Sequence, residues 1–108
     1  MRKIERQMNT AISNLNDGEV WKNANTMVSV SNGVAFVFLH GNMIAEVGEG
    51  FIKLHDGGWQ SNTTKSRLNA ILEANGLPGE RVFQEKFEWK VTLTDGTSIP
   101  FFSGMRLN

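Results

Sequence analysis

The fold is decided by residues 26–54, TMVSVSNGVAFVFLHGNMIAEVGEGFIKL, where apolar residues tend to recur at every second position. This alternation is typical of antiparallel strands. Three glycine-containing turns divide the stretch, namely Asn32-Gly33, Gly41-Asn42 and Gly48-Glu49-Gly50. Because Asn-Gly readily supplies the positive φ angles of a tight hairpin, the sequence predicts an antiparallel β-meander. Its predicted strands cover residues 27–31, 34–40, 43–47 and 51–55.

The second of these runs, Val34 to Leu39, consists entirely of apolar residues. A strand that is apolar on both faces is typical of the middle of a sheet that is covered on each side. We therefore expect this strand to lie centrally, with other structure packed against both of its faces.

An amphipathic helix is predicted before the meander, over about residues 2–15. Its apolar stripe comprises Ile4, Met8, Ile12 and Leu15. Gly18 can take the left-handed conformation that closes a helix. We interpret residues 19–25, which include Trp21, as an irregular connector to the first strand.

A second helix is predicted after the meander, over about residues 62–75. Its apolar stripe includes Leu68, Ile71 and Leu72. Asn62 or Thr63 suits the N-cap position, and Gly76 suits the C-terminal stop. Pro78 prevents the helix from continuing.

Alternation with a period of two returns after Gly79. The pattern fits one long strand with a bulge or, as we prefer, a short strand, a turn near Glu85-Lys86, and a second strand over about residues 88–94. Asp95-Gly96 predicts a further hairpin to residues 98–102. Pro100 has no N–H to donate, which indicates an edge strand.

The predicted class is α+β, with an N-terminal helix, an antiparallel β-meander, a central helix and C-terminal β-hairpin strands. The 108 residues are 40% hydrophobic and 20% charged, which is typical of one globular domain, so residues 1–108 are expected to form a single domain. No apolar run approaches the about 20 residues that span a bilayer, and no apolar segment follows the charged start. We expect no membrane association and a cytoplasmic location.

Catalytic and metal chemistry find little support in the sequence. Cysteine is absent, which excludes thiolate ligands and a cysteine nucleophile. No Gly-x-Ser-x-Gly motif occurs, and Gly48-Glu49-Gly50 lacks the ending of a nucleotide-binding loop. His40 and His55 adjoin turn residues, and we interpret them as strand-end polar residues. We therefore expect no enzymatic activity, no metal and no cofactor.

The start of the second helix is the candidate binding site. An α-helix N-terminus carries partial positive charge, so cations in the first turns are unfavourable unless something negative compensates them. Basic and hydroxyl side chains together suit a phosphate, and an indole can stack on a base. Ordinary capping, with the indole in the core, is the alternative interpretation. The candidate residues for nucleic-acid or anion binding are Trp59, Thr63, Thr64, Lys65, Ser66 and Arg67.

The chain has no net positive charge, because 11 basic residues balance 11 acidic ones. Any nucleic-acid site must therefore be a local basic patch. A host bacterial protein is the alternative partner, since the unpaired side of an edge strand can accept another strand. An exposed apolar strand would also favour a homodimer. The residues of this predicted partner edge are Ser98, Ile99, Phe101 and Phe102.

Several strings resemble a group of small uncharacterised accessory proteins of tailed bacteriophages, over about residues 20–93. They are LHGNMIA at residues 39–45, GWQSNTTKSRLNAIL at residues 58–72, Val82 to Gln84, and Trp89 to Val91. The resemblance implies a phage product made in the cytoplasm of the infected bacterial host. Such products act mainly by binding nucleic acid or by occluding a host protein in takeover or anti-defence.

Overall fold

Two helices and nine strands, arranged in two antiparallel sheets, make up the computed structural model, which describes residues 1–108. The helices are α1 (Lys3–Asn14) and α2 (Asn62–Asn75), and the strands are β1 (Val20–Asn23), β2 (Thr26–Ser31), β3 (Val34–Leu39), β4 (Asn42–Gly48), β5 (Phe51–Leu54), β6 (Arg81–Glu85), β7 (Glu88–Thr92), β8 (Ser98–Pro100) and β9 (Met105–Leu107). The predicted α+β class and the order of its elements are confirmed.

The large sheet has six strands in the order β1-β2-β3-β4-β5-β9. Its four middle strands are the predicted meander. The β2–β3 hairpin turns at Asn32 and Gly33, whose φ angles are 51° and 77°. Two successive positive φ angles are what a tight hairpin requires, so the Asn-Gly pair sets the register that places Ser31 opposite Val34.

Strand β3 lies inside the large sheet as predicted, but the helices cover only one of its faces. Ala35, Val37 and Leu39 are buried, whereas the alternating residues Val34, Phe36 and Phe38 are half-buried. The expectation that β3 is covered on both faces is wrong, because α1 and α2 both pack on the side of Val37.

Helix α2 lies at the centre of the molecule. It contacts α1, β4 of the large sheet and β6 of the small sheet. Leu68 and Ile71 are fully buried in the continuous core that joins both sheets. Neither helix has the length and hydropathy that a membrane-spanning helix requires.

The small sheet has three strands in the order β6-β7-β8. The predicted strand, turn and strand are present, with Lys86 and Phe87 forming the turn at φ angles of 51° and 66°. Strand β8 is at an edge, as Pro100 indicates. Phe101 packs edge-on against Trp89, with ring centroids 5.3 Å apart.

Two strands differ from the sequence prediction. The expected irregular connector over residues 19–25 contains β1, which pairs along its whole length with β2. Strand β9 was not predicted, and it pairs with β5. Each is short and gains its regularity from a neighbouring strand, so local pattern alone does not identify it.

Candidate functional site

The N-terminus of α2, where the sequence predicts the anion site, is capped by Ser61. The Ser61 hydroxyl accepts a hydrogen bond from the backbone N–H of Thr64 at 3.1 Å. The cap is therefore one residue before Asn62 and two before Thr63, the two predicted cap positions. The Thr64 hydroxyl is buried and is hydrogen-bonded to Ser61 at 3.0 Å and to the carbonyl of Trp59 at 3.3 Å. Thr64 serves the cap, which corrects its assignment to an open site.

Arg67 is not available to an external anion, because only 3% of its surface is exposed. Its Nη1 donates to Glu5 Oε2 at 2.9 Å, and its Nε donates to the hydroxyl of Thr26 at 3.1 Å. Ser66 also donates to Glu5, at 2.6 Å. A cation near a helix start is unfavourable unless a negative group compensates it. That negative group is Glu5 of α1, so the assignment of buried Arg67 to an open phosphate site is corrected, whereas the role of half-buried Ser66 stays a prediction.

Glu5 is 2% exposed and is held as a carboxylate by its neighbours. Burial by itself would raise the pKa of Glu5. Hydrogen bonds from Ser66, from the backbone N–H of Arg2 and from Arg67, together with the charge of Arg67, lower this pKa below its ordinary value. The result is a buried ion pair that joins α1, α2 and β2.

The remaining residues of the predicted helix site are accessible. Trp59 is 75% exposed, so the alternative that its indole belongs to the core is wrong. Thr63 and Lys65 are half-buried. Their part in nucleic-acid binding stays a prediction, without the guanidinium that was expected beside them.

The predicted partner edge divides into inward and outward residues. Ile99 is opposite Val91 and packs against the core, as does Phe101. Ser98 is exposed, and Phe102 is 60% exposed in the loop after β8. The accessible part of this edge therefore comprises Ser98 and Phe102, and its docking role stays a prediction.

The two histidines lie in different local structures. His40 is exposed in the β3–β4 turn with a φ angle of 52°. His55 Nε2 is 2.8 Å from Glu46 Oε2. No group of three or more potential ligand side chains that could hold a metal ion is present.

A surface that the sequence analysis did not identify lies on the large sheet, opposite the helices. We call it the open face. Its apolar side chains are half-buried, and they come from alternate positions of the four middle strands. They are Met27, Val34, Phe36, Phe38, Met43 and Phe51.

The register brings these side chains side by side. Phe38 is opposite Met27 on one neighbouring strand and Met43 on the other. Phe51 lies beside Gly48, where any side chain would collide with the phenyl ring. Glycine at that position therefore allows the ring to lie across β4. The aromatic residues of the open face thus belong to β3 and β5, on either side of β4.

Basic side chains accompany this apolar surface. Lys22 is opposite Met27, and Lys53 is opposite Arg106. The Arg106 guanidinium lies 4.7 Å from the centre of the Phe51 ring. None of these three cations takes part in an ion pair; the ion pairs of the structure are His55 with Glu46, Arg67 with Glu5, and Lys90 with Glu85.

The acidic residue among the strands of the open face is Glu46, opposite Phe36 and Lys53. Its carboxylate is in contact with His55. The open face therefore combines aromatic rings with an excess of basic over acidic side chains, although the chain as a whole carries a formal net charge of zero.

Comparison with known proteins gives one family. The family model described as Kyanoviridae Gp96 protein matches residues 1–108. No curated protein and no solved structure matches the chain.

Proposed function

The chain belongs to the Kyanoviridae Gp96 protein family, which makes it a phage protein, and we propose that it is a non-enzymatic accessory protein that binds nucleic acid. The expected place of action is the cytoplasm of the infected bacterial host. The phage origin implied by the resemblance agrees with the family match, which extends over the whole chain.

The observation that supports this function is the open face. Phe36, Phe38 and Phe51 lie on an antiparallel sheet surface that both helices leave free. Proteins that bind single-stranded nucleic acid stack bases on such aromatic side chains, at about 1–3 kcal/mol per base. A four-stranded sheet with exposed aromatics is one of the recurrent platforms for this recognition.

The cations of the open face supply the second requirement. Lys22, Lys53 and Arg106 are free of ion pairs, so phosphate contact would not have to break an existing pair. Phosphate contacts determine how strongly binding depends on salt. The open face thus offers both aromatic rings for stacking and free cations for phosphate. The α2 N-terminus does not, because the guanidinium of Arg67 is paired with Glu5.

The experiment is a fluorescence-anisotropy titration of the purified protein with labelled single- and double-stranded DNA and RNA, at low and moderate salt. We expect saturable binding of single strands that weakens steeply as salt is added. Phe36→Leu, which removes the ring but leaves an apolar side chain, should weaken binding. The double variant Lys53→Gln/Arg106→Gln should reduce the salt dependence.

The chain offers matched controls on the small sheet. Phe87 is 94% exposed at the β6–β7 turn, next to the exposed Lys86. Phe87→Leu and Lys86→Gln make the same chemical changes away from the open face and should leave binding unchanged. Absence of binding by the wild type at low salt, or equal losses in these controls, would refute the proposal.

A host bacterial protein is the second candidate partner, and the exposure of Phe102 beside edge strand β8 favours it. Phe102→Glu would place a charge on this edge without touching the open face. If the edge docks a host protein, this variant should lose a partner that wild type and Phe36→Leu both capture from host lysate. Equal capture by all three would exclude the edge.

A further inference from the structure

A groove of about 820 Å³ runs between α1 and edge strand β1. Its floor includes Trp21, which is half-buried and packs against the core. No acidic side chain lines it. The basic and amide side chains along it are Lys3, Arg6, Lys22, Gln7, Asn14 and Asn23.

The charge of this groove is uncompensated. Lys3, Arg6 and Lys22 belong to none of the ion pairs in the structure. The Arg6 side chain donates through Nη1 to the carbonyl of Met1 at 2.7 Å, a neutral partner that leaves its positive charge in place. Because the chain as a whole is neutral, these cations form a local excess of positive charge.

The groove and the open face lie on opposite sides of edge strand β1, and Lys22 is common to both. In the β1–β2 register Lys22 is opposite Met27, which places it on the open face. The same residue also lines the groove. A ligand that crosses the sheet to β1 and turns around this edge strand would therefore pass from the aromatic surface to the groove along basic side chains.

We infer that the ligand is a single-stranded nucleic acid whose bases stack on the open face and whose sugar-phosphate backbone continues over Lys22 into the α1–β1 groove. The inference rests on the proposed function and names its ligand more narrowly. Stacking on Phe36, Phe38 or Phe51 requires unpaired bases, because a duplex hides base faces within its own stack. From β9 to β1 the path crosses five inter-strand spacings, about 24 Å.

Oligonucleotide length separates the two parts of this path. Binding is measured with single strands of about four and about sixteen nucleotides, the range of site sizes on comparable single-strand platforms. The short strand can occupy the open face alone, whereas the long strand reaches the groove. The variant Lys3→Gln/Arg6→Gln changes only exposed side chains, and its fold is checked by thermal melting.

We expect this double variant to bind the long strand about tenfold more weakly at low salt, and to lower the slope of log K against log salt by about 1.4. Its binding of the short strand should change less than twofold. Lys86→Gln, a neutralised exposed lysine on the small sheet, should match wild type for both lengths. A duplex of the same sequence should compete poorly.

Three other outcomes would contradict the groove path, the single-strand assignment or the proposed function. If the double variant binds the long strand like wild type while Phe36→Leu weakens both lengths, the groove path is wrong and the proposed function stands. If duplex competes as well as single strand, the single-strand assignment is wrong. If wild type binds neither length, the proposed function itself fails, and the groove path fails with it.

Discussion

Two groups of cations in this molecule have opposite surroundings. Arg67, at the start of α2, is 3% exposed and donates hydrogen bonds to Glu5 and Thr26. Lys22 and Arg106, on the open face, are exposed and have no acidic partner. The sequence pattern predicts a binding site at Arg67 and none at Lys22 or Arg106.

The difference shows that a cation in an unusual local position is available to a ligand only if the fold places no acidic side chain against it. A cation near a helix N-terminus is unfavourable by itself, so a compensating negative group is expected. Here a residue 62 positions away in the chain supplies it. The basic residues on the open face are ordinary in sequence, and only the register of the sheet gathers them around aromatic rings.

The largest expected effect is on the buried pair. Arg67→Ala leaves the Glu5 carboxylate buried without its partner, and breaking a pair in this way typically costs about 3–5 kcal/mol. Urea-induced unfolding of wild type and variant measures the loss. Removal of an unpaired cation from the open face, Lys53→Ala, is the control and should change stability by no more than about 0.5 kcal/mol.

A loss below about 1 kcal/mol for Arg67→Ala would remove the contrast between the two groups. The double variant Glu5→Leu/Arg67→Leu sharpens the test. Because neither charge is then left buried alone, it should lose less stability than the sum of the two single leucine variants.

Acid should weaken the same pair. The pKa of Glu5 is lowered in the folded protein from an ordinary value of 4.5. A lowered pKa means that the unfolded chain takes up the proton first, so this contribution to stability is present above pH 4.5 and is lost as pH falls through the lower folded pKa. Unfolding free energies measured across this range should decrease more steeply for wild type than for Glu5→Gln. Parallel profiles would mean that Glu5 is not the group responsible.

Much of the fold could be predicted from the sequence because its elements carry local signals. Asn32-Gly33 fixes the β2–β3 hairpin, and the helical stripe with its terminal Gly76 fixes α2. Strands β1 and β9 lacked such signals, since each is short and is ordered by pairing with a neighbour. Sequence patterns of a few residues do not separate such strands from connectors.

The candidate site was less predictable than the fold, for the same physical reason. Whether Arg67 is free depends on Glu5, and whether Phe36 is covered depends on where the helices pack. Both depend on contacts between residues that are far apart in the sequence. The all-apolar run from Val34 to Leu39 correctly indicated a central strand, but its second face could as well have been buried as left open.

Removing an aromatic ring from the open face is expected to weaken nucleic-acid binding moderately. Phe38→Leu should weaken single-strand binding by about 1–3 kcal/mol if the ring stacks on a base, while the melting temperature changes little because volume is nearly kept. Phe87→Leu, at the exposed turn of the small sheet, makes the identical change and should alter neither quantity. A loss of binding that only accompanies a loss of stability would show that Phe38 is a packing residue.

Neutralising Lys65 at the start of α2 is expected to have the smallest effect on stability and binding. Lys65 is half-buried next to Ser66 and the buried Arg67, and the guanidinium of Arg67, which would have helped Lys65 to hold a phosphate, is paired with Glu5. Lys65→Gln should therefore change stability by no more than about 0.5 kcal/mol, and it should leave the salt slope of single-strand binding unaltered. Lys53→Gln, on the open face, should lower that slope by about 0.7, as expected for one lost phosphate contact. If Lys65→Gln lowers the slope and Lys53→Gln does not, the binding surface lies at the start of α2, and the contrast between the two groups of cations is reversed.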